Sequence, residues 1–194
     1  MTNFNELIAD HTRVSSLLTG SHYGSTFGQW CSARRFISKT LKGCGSILDV
    51  GCANGFLLRC ILEWCNYEIT PYGIDIDRNL LEQARVLLDP YQEHLAELSL
   101  YNLDTLEVVG LPISFTYVYW NVWDNFWFDN DRQKDAALRA AAAVSTGGRL
   151  IIGFYDRNPK DIELKIERIQ LLLGTPSGRI DNGPRREVAV WFDR

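Results

Sequence analysis

Ile47-Leu-Asp-Val-Gly-Cys-Ala-Asn-Gly-Phe56 is the most informative segment of this 194-residue chain. Its apolar run ends at Asp49, small residues follow at alternate positions (Gly51, Ala53 and Gly55), and a second apolar stretch comes next. This order predicts a buried strand, a tight turn and the start of a helix. Small residues let a ligand approach the backbone, and the first N–H groups of a helix are free to bind it. We therefore expect a nucleotide-like ligand at this turn, as in open α/β sheets.

The spacing of the small residues indicates which ligand. A dinucleotide-binding turn has the pattern G-x-G-x-x-G, and here its third position is Phe56 and its second is Ala53, which argues against a nicotinamide oxidoreductase. The observed D-x-G-x-A-x-G resembles the first motif of class I S-adenosylmethionine-dependent methyltransferases, an acid followed by G-x-G-x-G, with alanine at the middle glycine. The alternative is a purely structural strand-to-helix turn.

Two later segments extend the resemblance. Tyr72–Asp77 predicts a strand that ends in acid, and Asp75 follows Gly51 by 24 positions. The resemblance implies that Asp75 binds the ribose hydroxyls and that Ile76 packs on the adenine, whereas Asp77 suits the N-cap of the next helix.

Leu98–Asp104 predicts a third strand. In the family an acid after this strand accepts a hydrogen bond from the adenine amino group, and Asp104 matches it; a loop aspartate that caps a turn is the alternative. The resemblance thus implies S-adenosylmethionine as the cofactor, with S-adenosylhomocysteine as its product. The cofactor-binding residues would be Asp49, Gly51, Cys52, Ala53, Asn54, Gly55, Asp75, Ile76, Leu103, Asp104 and Asn121.

The fourth segment, Phe115–Phe128, begins as a strand rich in β-branched and aromatic residues. Thr116 stands where the family often has an acid. The residues Asn121-Val-Trp-Asp lack the prolines that amino-group methylases of nucleic acids often carry there. By resemblance Asn121 lies near the methionine part of the cofactor. Aromatic rings attract a sulfonium cation, and we expect the substrate to contact Tyr23, Trp120, Trp123, Phe126 and Tyr155. Ordinary core packing is the alternative for each aromatic residue.

The remaining segments complete a fold prediction. An alanine-rich helix over Asp131–Ser145, closed by a Gly-Gly turn, precedes a buried strand at Leu150–Tyr155. The resemblance covers 46–156, the cofactor-binding core. Residues 1–45 are expected to form a helical cap with helices at Phe4–Leu18 and Cys31–Leu41. Residues 157–194 are expected to supply a helix, Pro159–Leu173, and a strand, Glu187–Phe192. We predict one α/β domain over 1–194, Rossmann-like and doubly wound, with three α/β/α layers. Its mostly parallel seven-stranded sheet would end in an antiparallel edge strand.

Charge favours a small-molecule acceptor. The chain has a net charge of −4, and its core 46–156 holds 7 basic and 16 acidic residues. Nucleic-acid binders usually carry a dense basic stripe. Here the pairs Arg34-Arg35 and Arg185-Arg186 suit a solvated surface. Nucleic acid is therefore not the expected partner, although an RNA or protein acceptor stays an alternative.

Composition also indicates where in the cell the protein acts and whether it binds a metal. No apolar run reaches the length of a membrane span, and the polar N-terminus resembles no targeting segment, so we expect a cytoplasmic protein without membrane contact. The five cysteines form no C-x-x-C pair and have no histidine nearby. We expect reduced thiols and no metal site. The sequence leaves the oligomeric state open.

Methyl transfer asks little of the protein beyond holding the nucleophile in line with the methyl group and excluding water. A general base is needed only for a nucleophile that is protonated at working pH. His22, Tyr23 and Tyr119 are the expected catalytic residues, and Asp124 is a further possible base. We therefore predict a methyltransferase that acts on an oxygen, nitrogen or carbon nucleophile of a small molecule. A non-catalytic, cofactor-binding partner subunit is the alternative from another class.

Overall fold

The computed structural model describes residues 3–91, 94–98, 111–122, 124–183 and 187–194. The helices are α1 (Phe4–Ala9), α2 (His11–Gly20), α3 (Phe27–Arg34), α4 (Phe56–Trp64), α5 (Arg78–Leu88), α6 (Asp131–Ala142) and α7 (Pro159–Leu173), with short 3-10 helices at Arg35–Thr40 and Asp89–Tyr91. The strands are β1 (Gly45–Val50), β2 (Ile69–Asp75), β3 (His94–Glu97), β4 (Phe115–Val122), β5 (Val144–Phe154), β6 (Gly178–Asn182) and β7 (Glu187–Asp193). Among these residues no helix is both long and apolar enough to cross a bilayer.

The strands form one sheet in the order β3-β2-β1-β4-β5-β7-β6. Strands β1 to β5 are parallel, and β7 runs antiparallel to both β5 and β6. Because the strand order reverses between β1 and β4, the carboxyl ends of these two strands border the crevice where open α/β sheets bind ligands. The turn after β1 lies at this crevice.

The predicted fold class is confirmed: the sheet is mostly parallel, has seven strands and is Rossmann-like. The strand predicted near the C-terminus is antiparallel, but it lies one place inside the edge. The edge is β6, a five-residue strand that sequence analysis does not identify. Strand β6 alternates half-buried and exposed residues, so it lacks the apolar run by which the inner strands were recognised.

Apolar side chains cover both faces of the sheet and define three layers. On one face, residues such as Val118, Trp120 and Phe154 pack with the inner sides of α6 and α7. On the opposite face, Ile47 and Tyr117 pack with α4 and α5. The helices α1, α2 and α3, here called the N-terminal helices, add a further cluster against α4.

Several predicted boundaries differ from the structure. The helix predicted at Cys31–Leu41 begins earlier, as α3 (Phe27–Arg34), and continues as the 3-10 helix Arg35–Thr40. The helix predicted over Phe4–Leu18 is two helices, because the Asp10 side chain caps α2 by accepting a hydrogen bond from the Arg13 N–H at 3.0 Å. The predicted Gly147-Gly148 turn lies inside β5, at an irregularity of its pairing with β4. The described third strand is His94–Glu97, ahead of the predicted segment, of which 99–104 lie outside the described residues.

Candidate functional site

The turn between β1 and α4 is held in an unusual backbone conformation. Gly51, Ala53 and Gly55 all have positive φ, at 79°, 49° and 72°. Alanine rarely adopts this left-handed conformation, because its Cβ approaches the following carbonyl oxygen. The N–H groups of Gly51 and Cys52 donate to the Ile74 carbonyl oxygen at 2.8 and 3.0 Å. These bonds fix the turn against the carboxyl end of β2.

The Asp75 carboxylate completes this connection. One oxygen accepts a hydrogen bond from the Ala53 N–H at 2.7 Å, and the other accepts from the Asp77 N–H at 2.9 Å. Each carboxylate oxygen can accept a further bond, so Asp75 stays able to bind a hydroxyl pair. As predicted, Asp77 caps α5, with bonds from the Asn79 and Leu80 N–H groups.

A cavity opens beside the turn. Its lining combines apolar surface and one carboxylate, and consists of His22, Val50, Gly51, Ala53, Ile74, Asp75, Ile76 and Leu98. Ile76 keeps 54% of its surface exposed there. Flat apolar surface beside a carboxylate suits a planar base joined to a sugar. The expected adenine contacts Leu103 and Asp104 lie outside the described residues.

Asp49, near the end of β1, is only 2% exposed. Burial, and then the negative charge of Asp75, raise the pKa of its carboxyl group from 3.8 to about 7. Both causes disfavour the charged form, so a cation placed next to Asp49 would ionise it.

Two expected cofactor residues serve the core instead of facing the ligand. A Cβ on Gly55 would lie 2.9 Å from the Ala84 Cβ and 3.1 Å from the Leu88 Cδ1, so this glycine lets α4 approach α5. The Cys52 thiol is buried against Gly73, and burial raises its pKa well above the usual value. At these two positions only backbone atoms can contact a ligand in the cavity.

The N-terminal helices reach the site through α2. Asn54, which is fully buried in the turn, bonds to Leu17 and Ser21 at the end of this helix. His22 follows in a left-handed conformation, with φ at 56°, and lines the cavity. Tyr23, the other expected catalytic residue there, packs edge-on against Trp30 with ring centres 5.1 Å apart.

Residues at the end of β4 are more enclosed than predicted. Tyr119 has no exposed surface, and burial raises the pKa of its phenol above its usual range. A buried neutral phenol is a poor general base. Its hydroxyl and the Asn121 Oδ1 have no hydrogen-bond partner within the described part of the chain.

The aromatic residues predicted at the substrate mouth divide into two groups. Trp120 is a core residue with no exposed surface, packed edge-on against Phe126 at 4.9 Å, so its ring offers no surface to a substrate. Phe126 and Tyr155 are half-buried and keep some surface for contact. Trp123 lies outside the described residues.

Sequence analysis missed two buried ion pairs near the ends of β5 and β7. Arg34, expected on a solvated surface, is 8% exposed and pairs with Glu187 at 3.1 Å. Its guanidinium lies 5.4 Å from the centre of the Tyr155 ring. Arg34 follows Trp30 by one helical turn on the buried side of α3, and this spacing could have signalled its burial.

The second pair joins Asp156, directly after β5, to Lys165 of α7 at 2.6 Å. The Lys165 ammonium also donates to the Asp124 carbonyl oxygen at 3.1 Å and lies 4.8 Å from the Trp127 ring centre. Lys165 thus holds the segment after β4 against α7. Lys165 shares the helical spacing of Ile162, Ile166 and Ile169, so its place on the apolar stripe of α7 could have signalled its burial.

No protein-family model and no curated protein matches the sequence. Solved structures do match the fold. An O-methyltransferase family protein from Burkholderia thailandensis is 15% identical, with a TM-score of 0.64 over 98% of this chain and 62% of its own. The N-methyltransferase NodS from Bradyrhizobium japonicum, in complex with S-adenosylhomocysteine, is 14% identical, with a TM-score of 0.60 over 86% of both chains.

A TehB-like S-adenosylmethionine-dependent methyltransferase from Corynebacterium glutamicum is 16% identical, with a TM-score of 0.56 over 96% of this chain and 97% of its own. Such low identity establishes the fold, and one fold carries several acceptor chemistries. Strand order and these neighbours together show that the chain has the fold of the class I S-adenosylmethionine-dependent methyltransferases.

Proposed function

We propose that this protein is a methyltransferase that uses S-adenosylmethionine and acts on a small molecule. The observation that carries the proposal is the joint placement of the left-handed turn and Asp75 on one cavity. The turn presents backbone without side chains, Asp75 offers acceptors to two hydroxyls, and Ile76 offers apolar surface to a base.

The residues of this cavity fit the parts of the donor. Asp75 would bind the ribose, Ile76 and Leu98 would contact the adenine, and Gly51 and Ala53 would border the sugar and methionine parts. Asp49 is buried and does not itself line the cavity, but it directly precedes Val50 and Gly51, which do, and a nearby methionine ammonium group would relieve the cost of its burial. The donor supplies an electrophilic methyl group, and the protein's task is to orient the acceptor and exclude water.

His22 is the strongest candidate for proton transfer among the three expected residues. It lines the cavity and is exposed, whereas Tyr119 is enclosed and Tyr23 packs against Trp30. In our proposal His22 accepts a proton from the acceptor if that nucleophile is protonated. Tyr119 and Asn121 then serve as neutral polar groups near the reaction, and Tyr155 and Phe126 contact the acceptor.

A small-molecule acceptor is supported by the charges around the cavity. None of the described residues that line it is lysine or arginine. Arg78, the first residue of α5 and two positions after Ile76, is paired with Glu97 in a two-point ion pair at 2.7 and 2.9 Å. A nucleic-acid acceptor would require unpaired basic surface along its backbone.

Transfer of a labelled methyl group tests the proposal. The protein would be incubated with S-adenosylmethionine labelled in the methyl group and, separately, with small-molecule, RNA and protein fractions of a cell extract. We expect label in the small-molecule fraction, and none when Asp75→Ala replaces the wild type. Label in RNA or protein would refute the small acceptor, and binding of the donor without any transfer would indicate a non-catalytic subunit.

A further inference from the structure

Asn54 joins the cofactor turn to the N-terminal helices by side-chain hydrogen bonds. Its Nδ2 donates to the Leu17 carbonyl oxygen at 2.8 Å, and its Oδ1 accepts from the Ser21 hydroxyl at 2.6 Å. The same Oδ1 accepts from the Phe56 N–H, at the start of α4, at 3.2 Å. One fully buried amide therefore links the end of α2 and the start of α4.

The end of α2 approaches Asn54 so closely that it requires glycine. A Cβ on Gly20 would lie 2.6 Å from the Asn54 Nδ2, closer than real Cβ contacts. An alanine there would have to displace the Asn54 side chain or push α2 away from the turn. Gly20 and Asn54 thus fit each other, although 34 positions of sequence separate them.

Apolar packing of Phe56 also joins the turn to the N-terminal helices. Phe56, next but one to Asn54, stacks on Trp30 of α3 with ring centres 5.6 Å apart. Leu7, Val14 and Leu18 belong to the same buried cluster as Phe56. Movement of the N-terminal helices would therefore disturb the turn at two positions, Asn54 and Phe56.

The way in which α2 ends places His22 at the cavity. The helix α2 ends in bonds from the His22 N–H to the Thr19 carbonyl oxygen and from the Tyr23 N–H to the Leu18 carbonyl oxygen, both at 2.9 Å. This ending leaves His22 in a left-handed conformation at the cavity. The residue next to it, Ser21, is the one bonded to Asn54.

We propose that Asn54 is a positioning residue that couples the N-terminal helices to donor binding. By bonding Ser21 and Leu17 it sets His22 over the donor cavity, so that donor binding and docking of α2 stabilise each other. The inference rests on the proposed function, since it takes S-adenosylmethionine or S-adenosylhomocysteine as the ligand.

A matched pair of glycine substitutions tests the coupling. Alanine favours a helix over glycine at both positions, but only Gly20 meets Asn54. A Cβ on Gly28, inside α3, meets no atom within 4 Å. Binding of S-adenosylhomocysteine would be measured by isothermal titration, and protection of the 17–23 backbone by hydrogen exchange with and without this ligand.

We expect Gly20→Ala to weaken S-adenosylhomocysteine binding about tenfold, as for loss of about one good hydrogen bond, and to abolish ligand-induced protection of 17–23. Gly28→Ala should leave both readouts unchanged. Ser21→Ala removes one hydroxyl and leaves the backbone unstrained, and it should weaken S-adenosylhomocysteine binding about threefold. This variant replaces Gly20→Ala as the test if Gly20→Ala does not fold.

If Asn54 had only a structural role, Gly20→Ala and Ser21→Ala would have lower melting temperatures but unchanged S-adenosylhomocysteine affinity and unchanged ligand-induced protection of 17–23. That result would overturn the coupling. Wild-type protein that fails to bind S-adenosylhomocysteine would instead refute the proposed function itself. Affinity that falls equally in Gly20→Ala and Gly28→Ala would also overturn the coupling, because Gly28 has no contact with the turn.

Discussion

The Asp75 carboxylate accepts a hydrogen bond from the Ala53 N–H at 2.7 Å, so the acid at the end of β2 holds the turn at the end of β1. The same carboxylate lines the cavity. Asp75 therefore has two tasks: it shapes the backbone around the ligand, and it is the expected partner of the ribose.

We predict that Asp75→Ala weakens S-adenosylhomocysteine binding by about 1–3 kcal/mol, because hydrogen bonds to a charged group are lost. Asp77→Ala is the matched control. It removes the cap of α5 and should cost about 1 kcal/mol of folding stability, with unchanged affinity. Titration calorimetry and urea unfolding separate the two effects. Equal affinity of wild type and folded Asp75→Ala would remove Asp75 from the site.

Gly55→Ala should act on folding rather than by blocking the ligand. Its φ of 72° costs about 1–2 kcal/mol for a residue with a Cβ, and the added Cβ would meet Ala84 and Leu88 of α5. We expect a lower free energy of unfolding by urea denaturation. Unchanged stability together with lost ligand binding would contradict this assignment, since it would place the Cβ toward the ligand.

Folding stability should depend on pH through Asp49. Its pKa is about 7 in the folded protein against 3.8 for the unperturbed group, so the folded state holds the proton more tightly. The contribution of the protonated form is complete below about pH 4 and is lost as pH rises toward 7. Urea unfolding of the ligand-free protein at pH 5 and pH 8 should show lower stability at pH 8.

Asn in place of Asp49 provides the control for this dependence. In Asp49→Asn the fall in stability between pH 5 and pH 8 should be smaller than in the wild type. Asp193 and Glu163 do not interfere, because their arginine partners lower their pKa values and their effect lies at more acidic pH. An identical pH profile of wild type and Asp49→Asn would show that Asp49 is not the group responsible.

Binding of S-adenosylhomocysteine near pH 6 should release protons. In our assignment the ligand ammonium lies next to Asp49 and favours its charged form, so the carboxyl group gives up its proton on binding. The apparent binding enthalpy should then vary with the ionisation enthalpy of the buffer. Asp49→Asn should remove that variation; if the variation persists in this variant, another group loses the proton.

Sequence patterns predicted the elements with long apolar runs and clear caps. The strand before Asp49, the acid at the end of β2 and the helix Pro159–Leu173 could all be located, because each depends on local spacing. The short edge strand β6 could not, because its half-buried and exposed residues alternate without an apolar run, even though its partner β7 follows closely in the sequence.

Thr116 stands where the family often has an acid, but it lies at the end of β4 that is far from Asn121. It lies at the start of β4, where its Oγ1 accepts a hydrogen bond from the Ser46 N–H at 3.2 Å. Asn121 lies five residues further along the strand, roughly 16 Å away. The acid that is missing at Thr116 is therefore remote from the cavity, and its absence does not argue against a donor site.

The buried polar contacts were the least predictable part of the site. Arg34 and Glu187 are far apart in the sequence, and Asp156 and Lys165, nine residues apart, belong to different elements, so helical spacing can indicate burial but cannot identify the partner. The role of Asn54 likewise depends on how α2 docks on the turn. Local patterns identified the turn, whereas tertiary packing determines which of its side chains face the ligand.

Isothermal titration of the wild-type protein with S-adenosylmethionine, S-adenosylhomocysteine and NAD, in parallel, shows which class of cofactor the cavity binds. We predict micromolar binding of both sulfur compounds, with no heat from NAD, because Phe56 replaces the third glycine of a dinucleotide turn. Failure of both sulfur compounds to bind, or tighter binding of NAD, would show that the cavity is not a site for S-adenosylmethionine.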